Sequence, residues 1–311
     1  MDAGTSQGPA RSLRALIIAI DAVVVLAVLS ACSERSGDLN VERAAAPVTA
    51  STVAPGSIGE RIAKRGKVVI GVKFDVPLFG VRDAATGAIA GFDIEIAEMV
   101  AGALFPDAAD PGAHIEFVEA LSKDREQYLQ DGTVDLVIST YTISDARKLI
   151  VDFAGPYYIA GQDILARRTD IGSGAISGVA DLNGRRVCAV TGSTSLANLK
   201  AAAPEADTSV TKERYPDCFR ALQAGQVDAM TTDDVILLGL EQSDPGRFQI
   251  TGNPFRSEPY GIGIPKGDTE LRALLNDELQ RAFDDGRWAA AFERTVGTVS
   301  RAVPSPPTLD E

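Results

Sequence analysis

Side chains able to do covalent or metal chemistry are few: the 311 residues hold three cysteines and a single histidine, His114. One imidazole cannot by itself supply a zinc site or a Ser-His-Asp triad. There is no phosphate-cradling Walker loop and no Gly-x-Ser-x-Gly elbow. The glycines of Gly261-Ile262-Gly263 and Gly172-Ser173-Gly174 do not join a strand to a helix in the dinucleotide-binding manner. What remains is recognition by placed charge. The net charge of −13 excludes nucleic acid as a partner, because phosphate binding needs clustered cations. An anionic solute would need a few cations set individually. Lys73 follows the apolar run Val68-Val69-Ile70-Gly71-Val72, at the strand end where open α/β sheets bind ligands. Ser193 and Thr194 open a helix, where free amides and hydroxyls favour an anion. On residue type alone, Arg147 reads equally as a surface arginine and Asp233 as an N-cap for the helix that follows it.

The elements that would position these residues alternate short β-branched runs with amphipathic stretches. Strands are expected at Val68 to Val72, Ile115 to Val118 and Val134 to Ile138, with helices at Phe92 to Leu104 and Arg125 to Gln130. This βαβαβ series predicts an α/β domain with a mainly parallel sheet. The same grammar restarts with strands at Arg186 to Val190, Ser209 to Thr211, Val227 to Met230 and Phe248 to Thr251, interleaved with three helices, so two lobes are expected. A last strand, Gly261 to Ile264, and helices at Thr269 to Asp284 and Arg287 to Thr295 belong to either lobe by periodicity alone.

The first 31 residues read as an export leader: Arg11 and Arg14, then the apolar run Ala15 to Val28, then Leu29-Ser30-Ala31-Cys32. This ending resembles the bacterial lipobox, which implies cleavage before Cys32 and lipid on that cysteine. About 280 residues follow, enough for two ordinary domains. Residues 32–57 are Ala-, Ser-, Thr-, Pro- and Gly-rich and read as a flexible tether, and 298–311, with Pro304, Pro306 and Pro307, as a disordered tail. Cys188 and Cys218 then remain in an exported chain. An even pair there reads as one disulfide, with two buried free thiols as the alternative.

Several blocks, taken in order, carry a resemblance. They are Gly91-Phe92-Asp93-Ile94-Glu95-Ile96-Ala97, Val134-Asp135-Leu136-Val137-Ile138-Ser139-Thr140-Tyr141-Thr142-Ile143-Ser144-Asp145-Ala146-Arg147 and Phe153-Ala154-Gly155-Pro156-Tyr157-Tyr158, then Asp181-Leu182-Asn183-Gly184, Thr191-Gly192-Ser193-Thr194-Ser195, Gly225-Gln226-Val227-Asp228-Ala229-Met230 and Asp284-Asp285-Gly286-Arg287-Trp288. From about Ile62 to Val296 the chain resembles the family 3 extracellular solute-binding proteins, the amino-acid receptors of ABC importers. That implies a type II periplasmic-binding-protein-like fold with two α/β sheets joined by a hinge of two crossings, near Ala160 to Asp163 and Phe255 to Tyr260. It implies a first lobe of 58–161 with 256–297, a second lobe of 162–255, and ligand capture by hinge closure.

The resemblance also implies roles. Arg147 matches the arginine that takes the α-carboxylate, a task suited to its planar fork. Thr140 and Thr142 match the positions flanking the ligand, and Asp233 matches the carboxylate that receives the α-ammonium. Ser193 and Thr194 face the ligand from the second lobe. Lys73 matches a lysine of acidic-amino-acid receptors, and Arg125 adds a second cation. The expected ligand is therefore glutamate or aspartate, with glutamine or asparagine as the alternative. Phe74 and Phe79 either close over its methylenes or pack in the core. The cysteine pair looks like that of glutamate-binding lipoproteins of actinobacteria. No cofactor and no metal are implied. The partner is an ABC permease or a membrane sensor, and the location is the extracytoplasmic face of the membrane. A few relatives on this scaffold are dehydratases, which makes an enzyme the competing expectation.

Overall fold

The computed structural model describes residues 57–300 and 303–310. The leader, Cys32 and the tether up to residue 56 lie outside the described residues.

The first lobe is built on the fully buried strand Val68–Val72. Its five apolar residues are covered on both faces, as a central parallel strand requires. It pairs in parallel with Ile115–Glu119 on one side and Leu136–Val137 on the other. Three helices, Phe92–Leu104, Thr269–Asp284 and Arg287–Arg294, pack together on this lobe, so the C-terminal segment returns to it. Their shared core is aromatic: Phe92 meets Trp288 and Phe292 edge-on at 5.8 and 6.0 Å. Trp288 donates its indole N–H to the carbonyl of Tyr157 at 2.8 Å, which satisfies the only polar atom of a fully buried ring. Phe79 belongs to the same core, edge-on to Phe92, Tyr158 and Tyr260. Phe74 packs against the same core and lies under the guanidinium of Arg82, 4.0 Å from ring centroid to Cζ.

Two strands cross between the lobes. Val151–Arg167 is 17 residues long and Arg256–Pro265 is ten, and they pair antiparallel from Gln162 opposite Arg256 to Val151 opposite Pro265. The second lobe hangs on the far half of the longer strand, which pairs antiparallel with Ala229–Asp233 and with Phe248–Ile250. Val187–Cys188 then pairs in parallel with Ala229–Asp233. Because the crossing strands are hydrogen-bonded in both lobes, the two expected sheets are one continuous path, Ile115–Glu119, Val68–Val72, Leu136–Val137, Arg256–Pro265, Val151–Arg167, Ala229–Asp233, Val187–Cys188. The sheet is mixed rather than mainly parallel for the same reason.

Two further expectations are corrected. Ser209 to Thr211 forms no strand; only single bridges join Arg186 to Asp207 and Val190 to Lys212. His114 is half-buried: its Nδ1 lies 2.8 Å from the carbonyl of Gly66 and its ring stacks on Phe105 at 4.7 Å. Residues 303–310, expected to be disordered, run along the first lobe. Leu309 packs against the core, the Asp310 N–H donates to Gly155 O at 2.8 Å, and the Asp310 carboxylate meets Lys148 at 3.3 Å. Prolines limit the conformations the free tail can explore, so fewer contacts suffice to dock it.

Candidate functional site

Thr140 is the most constrained residue of the site. It follows the strand Leu136–Val137 and carries φ +42, a left-handed backbone that a β-branched side chain rarely adopts. Two buried groups hold it there. Asp93, at the start of the helix Phe92–Leu104, accepts the Thr140 N–H at 2.9 Å. Arg125 donates Nη1 to the carbonyls of Ser139 and Thr140 at 3.0 and 3.2 Å. Burial pushes Asp93 up to about 6, opposed chiefly by the hydroxyl of Tyr157, which donates to it at 2.6 Å. The strained turn leaves two buried hydroxyls with no hydrogen-bond partner among the described residues, Thr140 Oγ1 and Tyr141 OH.

Lys73 sits beside this turn. It is 1 % exposed and donates Nζ to Ala120 O at 3.0 Å and Ser122 Oγ at 3.1 Å. The carbonyl of the same Ser122 accepts Arg125 Nε at 3.3 Å, so one loop residue positions both cations. Burial pushes Lys73 down to about 7, with the Arg125 guanidinium adding to the effect. Two neighbouring cations favour an anion, since each lowers the cost of charging its surroundings negatively, although the carboxylates of Asp75, Asp93 and Glu119 already act on Lys73 in the opposite sense.

Arg147 lies on the four-residue helix Asp145–Lys148, capped by Ser144. It donates Nε to Glu126 at 3.0 Å and Nη1 to Thr142 O at 2.8 Å, and it reaches across to the second lobe, where Nη2 donates to Gly192 O at 3.2 Å. Three of its five N–H groups are thereby used and two remain. The rings and guanidinia are stacked: Tyr141 lies between Arg125 and Arg147, 4.3 and 4.8 Å from their Cζ atoms.

The second lobe supplies the opposite charge. Asp233 closes the strand Ala229–Asp233 and is 3 % exposed. It accepts from Tyr260 OH at 2.5 Å and from Ser195 Oγ at 3.4 Å. Burial, then the negative charge of Glu258, pushes Asp233 up to about 8. Thr194 bridges the lobes: its hydroxyl donates to Glu258 at 2.7 Å and lies 3.4 Å from Thr142 Oγ1. Ser193 does less than expected. Its hydroxyl accepts from Leu196 N at 3.1 Å and donates to Val190 O at 2.7 Å, so it is spent on capping the helix Thr194–Ala202.

The lobes meet closely. Gly192 has φ +78, and a Cβ there would stand 2.5 Å from Lys123 Cα of the first lobe, so only glycine permits this approach. The disulfide joins Cys188 to Cys218, fastening the helix Tyr215–Gln223 to the second-lobe sheet across 30 residues, with Cα atoms 5.5 Å apart.

The residues matched by sequence thus converge: Lys73, Arg125, Thr140, Thr142 and Arg147 on the first lobe, Thr194 and Asp233 on the second. Missing from the sequence reading were Glu258 and Gln162. Both are buried on the crossing strands and joined through Asn198, whose Nδ2 donates to Glu258 at 2.8 Å and to Gln162 at 2.9 Å. Gln162 carried a signal, a polar pair with Asp163 inside an otherwise apolar run, whereas Glu258 follows Arg256-Ser257 and carried none.

Residues 68–298 match the model of the bacterial extracellular solute-binding proteins, family 3. The chain belongs to that family. It is 39% identical over 236 residues to the ABC transporter glutamine-binding protein GlnH of Bacillus subtilis (strain 168), covering 76% of this chain and 83% of that protein. It is 35% identical over 246 residues to the glutamate-binding protein GluB of Corynebacterium efficiens, covering 77% and 82%. Among solved structures it resembles the solute receptor for L-cysteine of Neisseria gonorrhoeae, with a TM-score of 0.74, 29% identity and coverage of 82% and 100%. The family consists of solute-binding receptors, and this solute-binding protein is a receptor rather than an enzyme.

Proposed function

We propose that this solute-binding protein is anchored by lipid on Cys32 at the extracytoplasmic face of the membrane. There it captures glutamate or aspartate between its lobes and hands it to an ABC permease. The observation that carries the ligand class is the pair of buried cations, Lys73 and Arg125, fastened by one residue, Ser122, in a protein of net charge −13. Arg147 and Asp233 supply the two poles for the α-carboxylate and α-ammonium, one from each lobe, so a bound zwitterion stabilises the closed form. A distal carboxylate then takes the remaining donors of Arg125 and Lys73.

The relatives support an amino acid, and they divide between glutamine and glutamate in the names they carry. The second reading, a receptor for glutamine or asparagine, is favoured by that division and by the depressed Lys73, which is only about half charged at pH 7.

The test is calorimetry with Lys73→Met. Arg125 props the backbone of Thr140, so the lysine is the cleaner change. Loss of the preference for glutamate over glutamine, with glutamine binding retained, supports the acidic reading. An unchanged preference contradicts it. For the anchor, mass spectrometry of the native protein should find Cys32 acylated at the mature N-terminus.

A further inference from the structure

We infer that Arg214 sets ligand affinity without touching the ligand, as the second-lobe half of an ionic latch whose first-lobe half is Glu119 and Asp75. Arg214 stands at the N-terminal cap of the helix Tyr215–Gln223. Its guanidinium forks onto Glu119, Nη1 to Oε1 at 2.5 Å and Nη2 to Oε2 at 2.7 Å. Nη1 also lies 3.7 Å from Asp75 Oδ2. Neither carboxylate oxygen of Asp75, both buried, has a hydrogen-bond partner among the described residues, so its compensation is ionic, from Arg214 and from Lys73 two residues earlier. The preceding residue repeats the device with the signs reversed, Glu213 pairing with Lys123 of the first lobe.

The place of this cluster ties it to the candidate ligand site. Asp75 is two residues from Lys73, and Glu119 precedes Ala120, whose carbonyl accepts Lys73 Nζ. Arg214 precedes Tyr215, whose ring centroid is 5.8 Å from the same Nζ. All three latch segments therefore also line the Lys73 end of the cleft. Opening the lobes would withdraw Arg214 from both carboxylates and leave Asp75 to Lys73 alone. The helix that carries Arg214 is braced one turn later, where Cys218 is bridged to Cys188. Parting the lobes therefore has to break the ion pairs rather than drag the helix along.

An exposed ion pair alone is worth little, but the Arg214 side chain is 37% exposed, Glu119 29% and Asp75 12%, and the geometry is bidentate. Apparent affinity scales with the fraction of protein in the binding-competent closed form. A latch that raises that fraction chiefly slows release.

The role of the latch in affinity rests on the cleft being the ligand site, whereas its role in closure does not. The experiment therefore has two arms on purified protein. Spin labels at Glu116→Cys and Glu205→Cys report the interlobe distance without ligand, and release of radiolabelled glutamate and of glutamine reports the dissociation rate. Arg214→Met should lengthen the ligand-free distance and speed release about five- to twentyfold, since a partly exposed charge-assisted pair lies between the buried and surface limits. Glu119→Gln should do likewise alone and add little in the Arg214→Met background. High salt should speed release from the wild type more than from Arg214→Met, in which only the exposed Glu213–Lys123 pair is left to screen. Wild-type distance and release in Arg214→Met, or effects of the two substitutions that simply multiply, would overturn the latch. If Arg214→Met does not fold, Glu119→Gln and Asp75→Asn test the same link from the other lobe. If neither amino acid binds the wild type, the ligand reading fails and the distance arm still decides the latch.

Discussion

Ligand binding should move protons, and by different amounts for glutamate and glutamine. Asp233, held at about 8 by burial and by Glu258, is about nine-tenths protonated at pH 7. An α-ammonium needs the ionised form, so its arrival releases roughly 0.9 proton. Lys73, held at about 7, is about half charged at that pH. A distal carboxylate completes its charge and takes up roughly 0.5 proton, whereas a carboxamide offers no charge to do so. Net release is then about 0.4 proton for glutamate and about 0.9 for glutamine. Asp93, at about 6, is mostly ionised in both cases and contributes to neither difference. Titration calorimetry in two buffers of different ionisation enthalpy reads the number of protons directly. The difference should vanish at pH 5.5, where Lys73 is charged before binding, and in Lys73→Met at any pH. Equal release for the two amino acids at pH 7, or proton uptake with glutamine, would refute the reasoning.

Four other outcomes follow from named contacts. Arg147→Ala or Asp233→Ala should lower affinity about thirtyfold or more, because one pole of the zwitterion loses its partner in a closed cleft; calorimetry checks this. Gly192→Ala places a methyl against the Lys123 backbone at φ +78, so affinity should fall at least about tenfold while the unfolding free energy drops only by the roughly 1–2 kcal/mol of left-handed strain, as calorimetry and denaturant unfolding would show. Replacing Cys188 and Cys218 together by Ala should cost on the order of 3–4 kcal/mol in denaturant unfolding, the loop-entropy value for the 30-residue separation. Cys32→Ala should abolish acylation and leave the precursor uncut, as intact-mass measurement would show.

The charged half of the site was legible because its residues interrupt patterns. Lys73 ends an all-apolar strand, and Arg125 and Arg147 stand at helix starts beside it, where a side chain projects toward the strand ends. The longer crossing strand was not legible as a strand, and of the shorter one only Gly261 to Ile264 was read. Val151–Arg167 is buried on both faces for most of its length, so period-two alternation is absent, and Gly155-Pro156 inside it reads as a turn. With that strand unread, its polar members Gln162 and Glu258 across from it had no place in the site. Ser193 was assigned by position, but its hydroxyl accepts from Leu196 N of the helix it caps and donates its one proton to Val190 O. The tail misled through composition: three prolines indicate coil, and they say nothing about one leucine, Leu309, that finds the core.

The ligand class is the central claim, and a calorimetric screen of the twenty common amino acids against the wild-type protein tests it most directly. Glutamate or aspartate should bind more tightly than glutamine and asparagine, and cationic amino acids should not bind beside Lys73 and Arg125. Equal or tighter binding of the amides would contradict the account and assign the Lys73 end of the cleft to a carboxamide.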